Sequence, residues 1–209
     1  MRKIAQRDDI RDLILDGVEA LLARFGFRKM TMEDLAREVG IGKGTIYLHF
    51  PSKEELALAH VDRIAERLLR RLREIAAGPG SPQERLKEML VARVLFRFDS
   101  VSRYSQNLND LLSSVRKDLL ARREVHFDKE AEVLADVLRD GCARGVFVCP
   151  KARESADVLV WSTNSLLPFS LSARELGERG ELENRVSRIV DLMLNGLLLR
   201  SAAPSKRRR

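Results

Sequence analysis

The sequence predicts an all-α protein, with an N-terminal three-helix helix-turn-helix unit followed by a larger helical bundle. Three observations predict it. Apolar residues recur at three- and four-residue spacing along nearly the whole chain, the period of one helix face. No segment alternates apolar and polar residues as a half-buried strand does. The breaks between the periodic runs fall on glycine, proline, serine and threonine, the residues that stop or cap helices. The 209 residues are 44% hydrophobic and 33% charged, enough apolar content for a buried core and too much for a disordered chain.

The first helix carries Ile10, Leu13, Ile14, Val18, Leu21, Leu22 and Phe25 on one stripe, and Gly26 can end it. Arg2, Lys3 and Arg7 precede the stripe and read first as a frayed terminus, second as a short basic arm. Met32, Leu35, Ala36 and Val39 repeat at i, i+3, i+4 and i+7 and predict a second, short helix. Thr31 stands at its N-cap with Asp34 three residues on, and Gly40 follows the stripe where a left-handed residue commonly ends a helix. A third helix is expected from Lys43 to Phe50. Pro51 stops it, because the residue before a proline is pushed out of the helical region. Ser52 caps the next helix, with Glu55 completing a capping box.

Gly26, Phe27, Thr31, Leu35, Ala36, Val39, Gly40 and the run from Lys43 to Leu56 together resemble the N-terminal domain of TetR-family (TetR/AcrR-like) transcriptional regulators. The resemblance covers roughly the first quarter of the chain; the remainder agrees in length and helical pattern alone. It departs at Gly42, where the family often has a serine capping the recognition helix. The resemblance implies a helix-turn-helix over residues 31–50 whose last helix enters the DNA major groove. Lys43 is then placed to reach a base edge or a phosphate, and Gly44 lets backbone approach the duplex. Thr45 offers a methyl to thymine or a hydroxyl to a base edge. Tyr47 and His49 stand as phosphate-side contacts. Lys53 joins the amide cluster at the start of the following helix as an anion site, and Thr31 does the same for the other strand. Ile46 and Phe50, four residues apart, are expected in the core. The glycines Gly40, Gly42 and Gly44 do not make a nucleotide loop. They follow a helix rather than a strand and lack the four-residue gap before glycine-lysine-threonine.

The larger body is expected as helices over about 52–77, 82–98, 115–144, 151–173 and 181–201, with a weaker patch from Asp99 to Ser114. The stretch from Gly78 to Pro82 breaks the first firmly. The last two helices carry apolar residues on several sides, among them Val158, Trp161, Val186, Val190, Leu194 and Leu198. They predict a homodimer through a four-helix interface, and with it a palindromic operator. Phe96, Phe98, Tyr104, Trp161, Asn164 and Phe169 are candidate linings of a pocket for a small-molecule effector. Pro168 would kink the helix beside it by freeing the Asn164 carbonyl. The domain division expected is 1–51, 52–201 and a basic tail, 202–209.

The net charge of +7 does not by itself argue for DNA. Residues 1–60 carry ten Lys/Arg against ten Asp/Glu, and Lys206, Arg207, Arg208 and Arg209 supply more than half of the excess. That tail reads as a solvated end adding sequence-independent attraction to nucleic acid. Cys142 and Cys149 cannot staple a scaffold and suit a reducing compartment as inert thiols. No run of about eighteen apolar residues and no signal-peptide core appear, so a cytoplasmic, non-membrane protein is expected. His49, His60 and His126 show no paired ligand spacing, and no nucleophile elbow or phosphate loop is present, so neither metal, cofactor nor catalysis is expected. The functional expectation is a sequence-specific, ligand-responsive repressor. The alternatives are an architectural DNA binder and a thiol-based redox sensor built on Cys142 and Cys149.

Overall fold

The computed structural model describes residues 7–168 and 177–197, and among these every regular element is helical. The helices are α1 (Arg7–Lys29), α2 (Met32–Val39), α3 (Lys43–His49), α4 (Lys53–Ala77), α5 (Pro82–Val101), α6 (Leu108–Ala143), α7 (Ala152–Ser162) and α8 (Arg179–Leu197). No helix among the described residues is long and apolar enough to cross a membrane. Phe169 and the tail 202–209 lie outside the described residues.

Short-range chemistry explains the ends of these helices. Gly26 adopts φ 71°, which breaks the regular run of α1 where the stripe stops and leaves one further turn to Lys29. Thr31 and Asp34 form a complete capping box at the start of α2, and Gly40 ends it at φ 72°. Gly42 provides no side-chain cap to α3. At α4 the expected box is half made. Ser52 Oγ accepts from the Glu55 amide at 3.1 Å, but the Glu55 carboxylate accepts instead from Arg122 Nη2 on α6, at 2.8 Å. Ser81 and Glu84 form a second full box at α5.

The body departs from the sequence expectation in three places. The weaker patch is no gap: α5 continues to Val101, a 3-10 stretch spans Ser102–Asn107, and α6 begins at Leu108. At about 1.5 Å per residue, the 36 residues of α6 reach roughly 54 Å. The helix expected over 151–173 stops at Ser162, well short of Pro168. Leu167, preceding that proline, is extended at ψ 147°, as a pre-proline residue prefers. Cys142 and Cys149 are joined in a disulfide rather than free. Gly145, at φ 69°, reverses the chain after α6 and brings Cys149 back against it.

Two apolar clusters form the core. The first packs α1, α2, α3 and the first half of α4 against Val101, Tyr104, Leu108, Leu111, Val115 and Leu119, so the leading half of α6 props up the N-terminal helices. Within α1, Leu15 is buried while Leu13 and Phe25 are 46% and 42% exposed, which shifts the buried stripe from the one expected. The second cluster joins the rest of α4 to α5, α6, α7 and α8. Through it runs a buried polar network. Arg93 Nε donates to Glu130 Oε2 at 2.7 Å, and Arg93 Nη1 to Thr163 Oγ1 at 2.7 Å. Arg97 donates to the other Glu130 oxygen and, at 3.1 Å, to the Arg93 carbonyl. Arg93 and Glu130 are 0% and 1% exposed. Burial pushes the Glu130 carboxyl up, but Arg97 and Arg93 outweigh it and hold it below the usual range. The same burial brings Arg93 down to about 10 against the pull of Glu130.

Candidate nucleic-acid interface

The turn between α2 and α3 is tied by two amides, Gly40 and Ile41, that both donate to the Ala36 carbonyl, at 3.0 and 3.1 Å. It sets α3 so that Ile46 (0% exposed) and Phe50 (2%) enter the first core cluster. The opposite side of α3 is left to solvent: Lys43, Gly44, Tyr47 and Leu48 are exposed, and Thr45 and His49 half-buried. Five of the predicted contacts, Lys43, Gly44, Thr45, Tyr47 and His49, therefore share one short helix, with Lys43 at its leading edge.

Each predicted residue has a definite present partner or lack of one. Lys43 Nζ pairs with Glu33 of α2 and lies 5.7 Å from the centre of the Tyr47 ring. Its hydrogen bond to Glu33 raises its pKa and lowers that of Glu33. The pair is solvent-exposed, so exchanging the carboxylate for a phosphate costs little. A Cβ built on Gly44 meets nothing within 4 Å, so the chain's own packing does not demand a glycine there. The open space leaves backbone free to approach a large partner. Thr31 is exposed, but its hydroxyl is committed to the cap: it donates to Asp34 Oδ2 at 2.7 Å and accepts from the Asp34 amide at 3.1 Å. His49 stacks obliquely on Phe50, with centroids 6.5 Å apart. Lys53 is half-buried and folded back, with Nζ donating to the Arg28 carbonyl at 3.3 Å and lying 4.5 Å from the Phe27 centroid. Burial lowers its pKa.

Sequence reasoning overlooked Leu48, which is 78% exposed on the same helix. Its signal was present: it stands out of phase with the Ile46 and Phe50 pair. An apolar side chain there suits a thymine methyl.

A separate cavity of about 330 Å³ lies among α4, α5 and α6. Val61, Ile64 and Ala65 of α4 and Arg97 of α5 form one side. One face of α6, from Asn109 through Arg116, Leu119 and Arg123 to His126 and Phe127, forms the other. None of the five described residues expected to line a pocket, Phe96, Phe98, Tyr104, Trp161 and Asn164, is among those that line this one. Phe96 and Phe98 are partly buried against the core, and Tyr104 is buried with its hydroxyl 2.9 Å from His60 Nε2. Trp161 is 57% exposed and meets the Phe127 ring edge-on at 6.0 Å. Asn164 is half-buried with Oδ1 unpartnered. The aromatic residue of α7 stays on the outside, and the space opens along α6 instead. The periodic mixture of arginine and leucine on α6 was the available signal.

The cavity is wired to the N-terminal helices. His126 Nε2, in its lining, lies 2.8 Å from Asp62 Oδ1. Asp62 Oδ2 accepts from Arg122 Nη1 at 2.6 Å, and Arg122 Nη2 donates to Glu55 in the first turn of α4. Burial raises the Asp62 pKa, but His126 and Arg122 outweigh it and leave it lowered. Arg63, also on α4, ties the same helix to α1 through Asp16, at 2.7 Å.

The family model for bacterial regulatory proteins of the tetR family matches residues 14–60, which take in most of α1, then α2, the turn, α3 and the start of α4. The chain is similar to the HTH-type transcriptional repressor Rv1474c of Mycobacterium tuberculosis, 30% identical over 138 residues that cover 62% of this chain and 74% of that protein. It is also similar to the HTH-type transcriptional repressor KstR2 of Mycobacterium tuberculosis, 28% identical over 70% of this chain and 73% of the other. A solved transcriptional regulator from Cytophaga hutchinsonii shares the fold at 22% identity, with a TM-score of 0.74 over 90% of this chain and 98% of that one. The chain thus belongs to the TetR family, whose members are transcriptional regulators rather than enzymes.

Proposed function

We propose that this regulator is a ligand-responsive repressor that binds a palindromic operator as a homodimer. The observation that carries the reading is α3: a buttressed helix that buries Ile46, and Phe50 at its end, and turns Lys43, Gly44, Tyr47 and Leu48 outward. A helix so held matches the geometry that reads bases from the major groove. Repression is supported by the names of Rv1474c and KstR2. Dimerisation is supported by α7 and α8, which leave Val158, Trp161 and Leu192 63%, 57% and 76% exposed. A patch of that kind on the two final helices favours a second copy as its cover. Ligand response is supported by the cavity and by the chain of contacts from His126 through Asp62 and Arg122 to Glu55. A molecule that displaces His126 from Asp62 biases the first turn of α4, and with it the set of α3.

Selection of bound fragments from random DNA tests the reading. A recovered inverted repeat whose half-sites lie about one helical turn apart, or a multiple of it, supports it. Fragments with no shared sequence, or with single unpaired sites, would overturn the operator and dimer together.

A further inference from the structure

The cavity between α4, α5 and α6 has a charge pattern that its role as an effector site does not require. Arg97, Arg116, Arg123 and His126 line it, with no carboxylate among the lining residues. Around Phe127, one of the lining residues, the guanidinium carbons of Arg93, Arg97 and Arg123 lie 4.7, 5.8 and 5.5 Å from the ring centre. The two nearby carboxylates are already matched. Glu130 is shared by Arg93 and Arg97, and Asp62 is held by Arg122 and His126.

One carboxylate between two buried guanidiniums leaves an excess positive charge, and Arg123 adds to it. Arg123 makes no ion pair among the described residues, and its Nε is buried with no hydrogen-bond partner. Arg93 Nη2 is likewise buried and unpartnered. Arg116, exposed on the same face of α6, has no ion-pair partner among the described residues either. An orphaned buried donor has given up its hydrogen bonds to water and gained none in return. A guanidinium recovers that cost best from a carboxylate or phosphate, whose paired oxygens match its fork. Most of the remaining lining is apolar, Val61, Ile64, Ala65, Leu112, Leu119 and Leu120, with Asn109 and Ser113 as its neutral polar residues. At about 30 Å³ per water-sized group, 330 Å³ accommodates a molecule of roughly eleven such groups.

We infer that the cavity binds an amphipathic anion, a carboxylate or phosphate head on an apolar chain of medium length. The head sits among Arg97, Arg123 and His126, with Arg116 beside the opening. The chain lies along Ile64, Leu112 and Leu119. This inference rests on reading the cavity as the effector site. Cationic and neutral amphiphiles of the same length are disfavoured, because neither compensates the guanidiniums.

Isothermal titration of the full-length protein with octanoate, octyl phosphate, octan-1-ol and octylammonium tests it. At least one anion should bind tenfold or more tighter than octan-1-ol, and octylammonium should not bind. Preference for octanoate identifies a carboxylate effector and preference for octyl phosphate a phosphate one; either supports the inference. Arg123→Gln should weaken the anion about tenfold and leave octan-1-ol unchanged. Arg116→Gln, at an exposed position that folding does not need, should act in the same direction. Equal binding of anion and alcohol, tighter binding of octylammonium, or no anion binding at all would overturn it. Anion binding that Arg123→Gln weakens, without release of operator DNA, would leave this inference standing and overturn the regulatory role of the cavity.

Discussion

Residues 7–52 and residues 82–168 both bury stripes of leucine, isoleucine and valine, yet they place their charges in opposite ways. In the N-terminal helices the ion pairs are on the surface: Arg24 with Glu38, Arg37 with Asp34, Lys43 with Glu33, each at least a third exposed on one side or both. In the body, Arg93, Arg97 and Glu130 lie in the core, linking α5 to α6 and, through Thr163, to the end of α7. Exposed pairs trade partners cheaply, which suits a surface that must exchange a carboxylate for a phosphate. Buried charges are expensive to disturb and fix how helices register. The N-terminal helices keep these charges at the surface, whereas the body, beside its own surface pairs, commits Arg93, Arg97 and Glu130 to the core next to the cavity.

The sharpest way to break this contrast is to remove one acid from each region. Glu130→Ala strands two buried arginines and should cost about 3–5 kcal/mol, read from urea unfolding of the full-length chain. Glu33→Ala, which frees only the exposed Lys43, should leave the unfolding midpoint unchanged. If the Glu130 variant unfolded within about 1 kcal/mol of the parent, the buried network would be incidental.

His60 separates the two regions by pH. It is 1% exposed at the junction, with Nε2 on the Tyr104 hydroxyl and Nδ1 unpartnered. Burial, then Arg63 and Arg67, bring its pKa from 6.5 to about 4, against a smaller opposing pull from Asp16. The unfolded chain therefore takes up a proton that the folded chain refuses between those values. Stability from this group is whole above about pH 6.5 and falls as the pH drops toward 4. At pH 4.5 the loss reaches about 2–3 kcal/mol. His60→Gln, which cannot titrate, should lack that component in a comparison of unfolding at pH 7 and pH 4.5. Parallel curves for the two proteins would show that the ring is not buried neutral.

How far each region could be read from sequence follows from the range of its interactions. The turn was legible because its determinants sit within three residues of one another: Thr31 with Asp34, Gly40 after Val39, Pro51 after Phe50. Ile46 and Phe50 could be assigned to the core by their four-residue spacing. The body's determinants are distant. Glu130 answers arginines 37 and 33 residues away, and the cavity needs Val61, Arg97 and Arg123 brought together by packing. Periodicity located those helices but not their neighbours. It therefore offered Trp161 as a pocket lining where α6 lines the cavity, and it read Cys142 and Cys149 as free thiols where the structure joins them. Lys53 shows the limit within the legible region: its position was correct, but its side chain folds onto Phe27 rather than outward.

Tightness of packing in the N-terminal unit is probed by Gly17 on α1. A Cβ there would meet Val39 Cγ2 at 2.5 Å and Leu35 Cδ1 at 2.9 Å, both on α2. Gly17→Ala should cost about 1–3 kcal/mol by overpacking. Because the clash pushes α2 away from α1, operator affinity should fall by more than that loss of stability explains. Affinity unchanged in a variant with a lowered melting point would mean that α3 does not depend on the seating of α2.

The smallest effects come from the two capping boxes, which share one chemistry in two settings. Thr31→Ala at α2 and Ser81→Ala at α5 each remove a hydroxyl that accepts an amide three residues on, at 3.1 and 3.2 Å. Each should cost about 1 kcal/mol in unfolding. Only the first caps the helix that seats α3, so Thr31→Ala alone should weaken operator binding, while Ser81→Ala should leave it at the parental value. A phosphate-bridging hydroxyl and a purely structural one are then separated by salt. Loss of a phosphate contact lowers the slope of log affinity against log salt by about one, whereas loosening of α2 lowers affinity with the slope intact. Since the Thr31 hydroxyl is already occupied by Asp34 at 2.7 Å, an unchanged slope is the expected result.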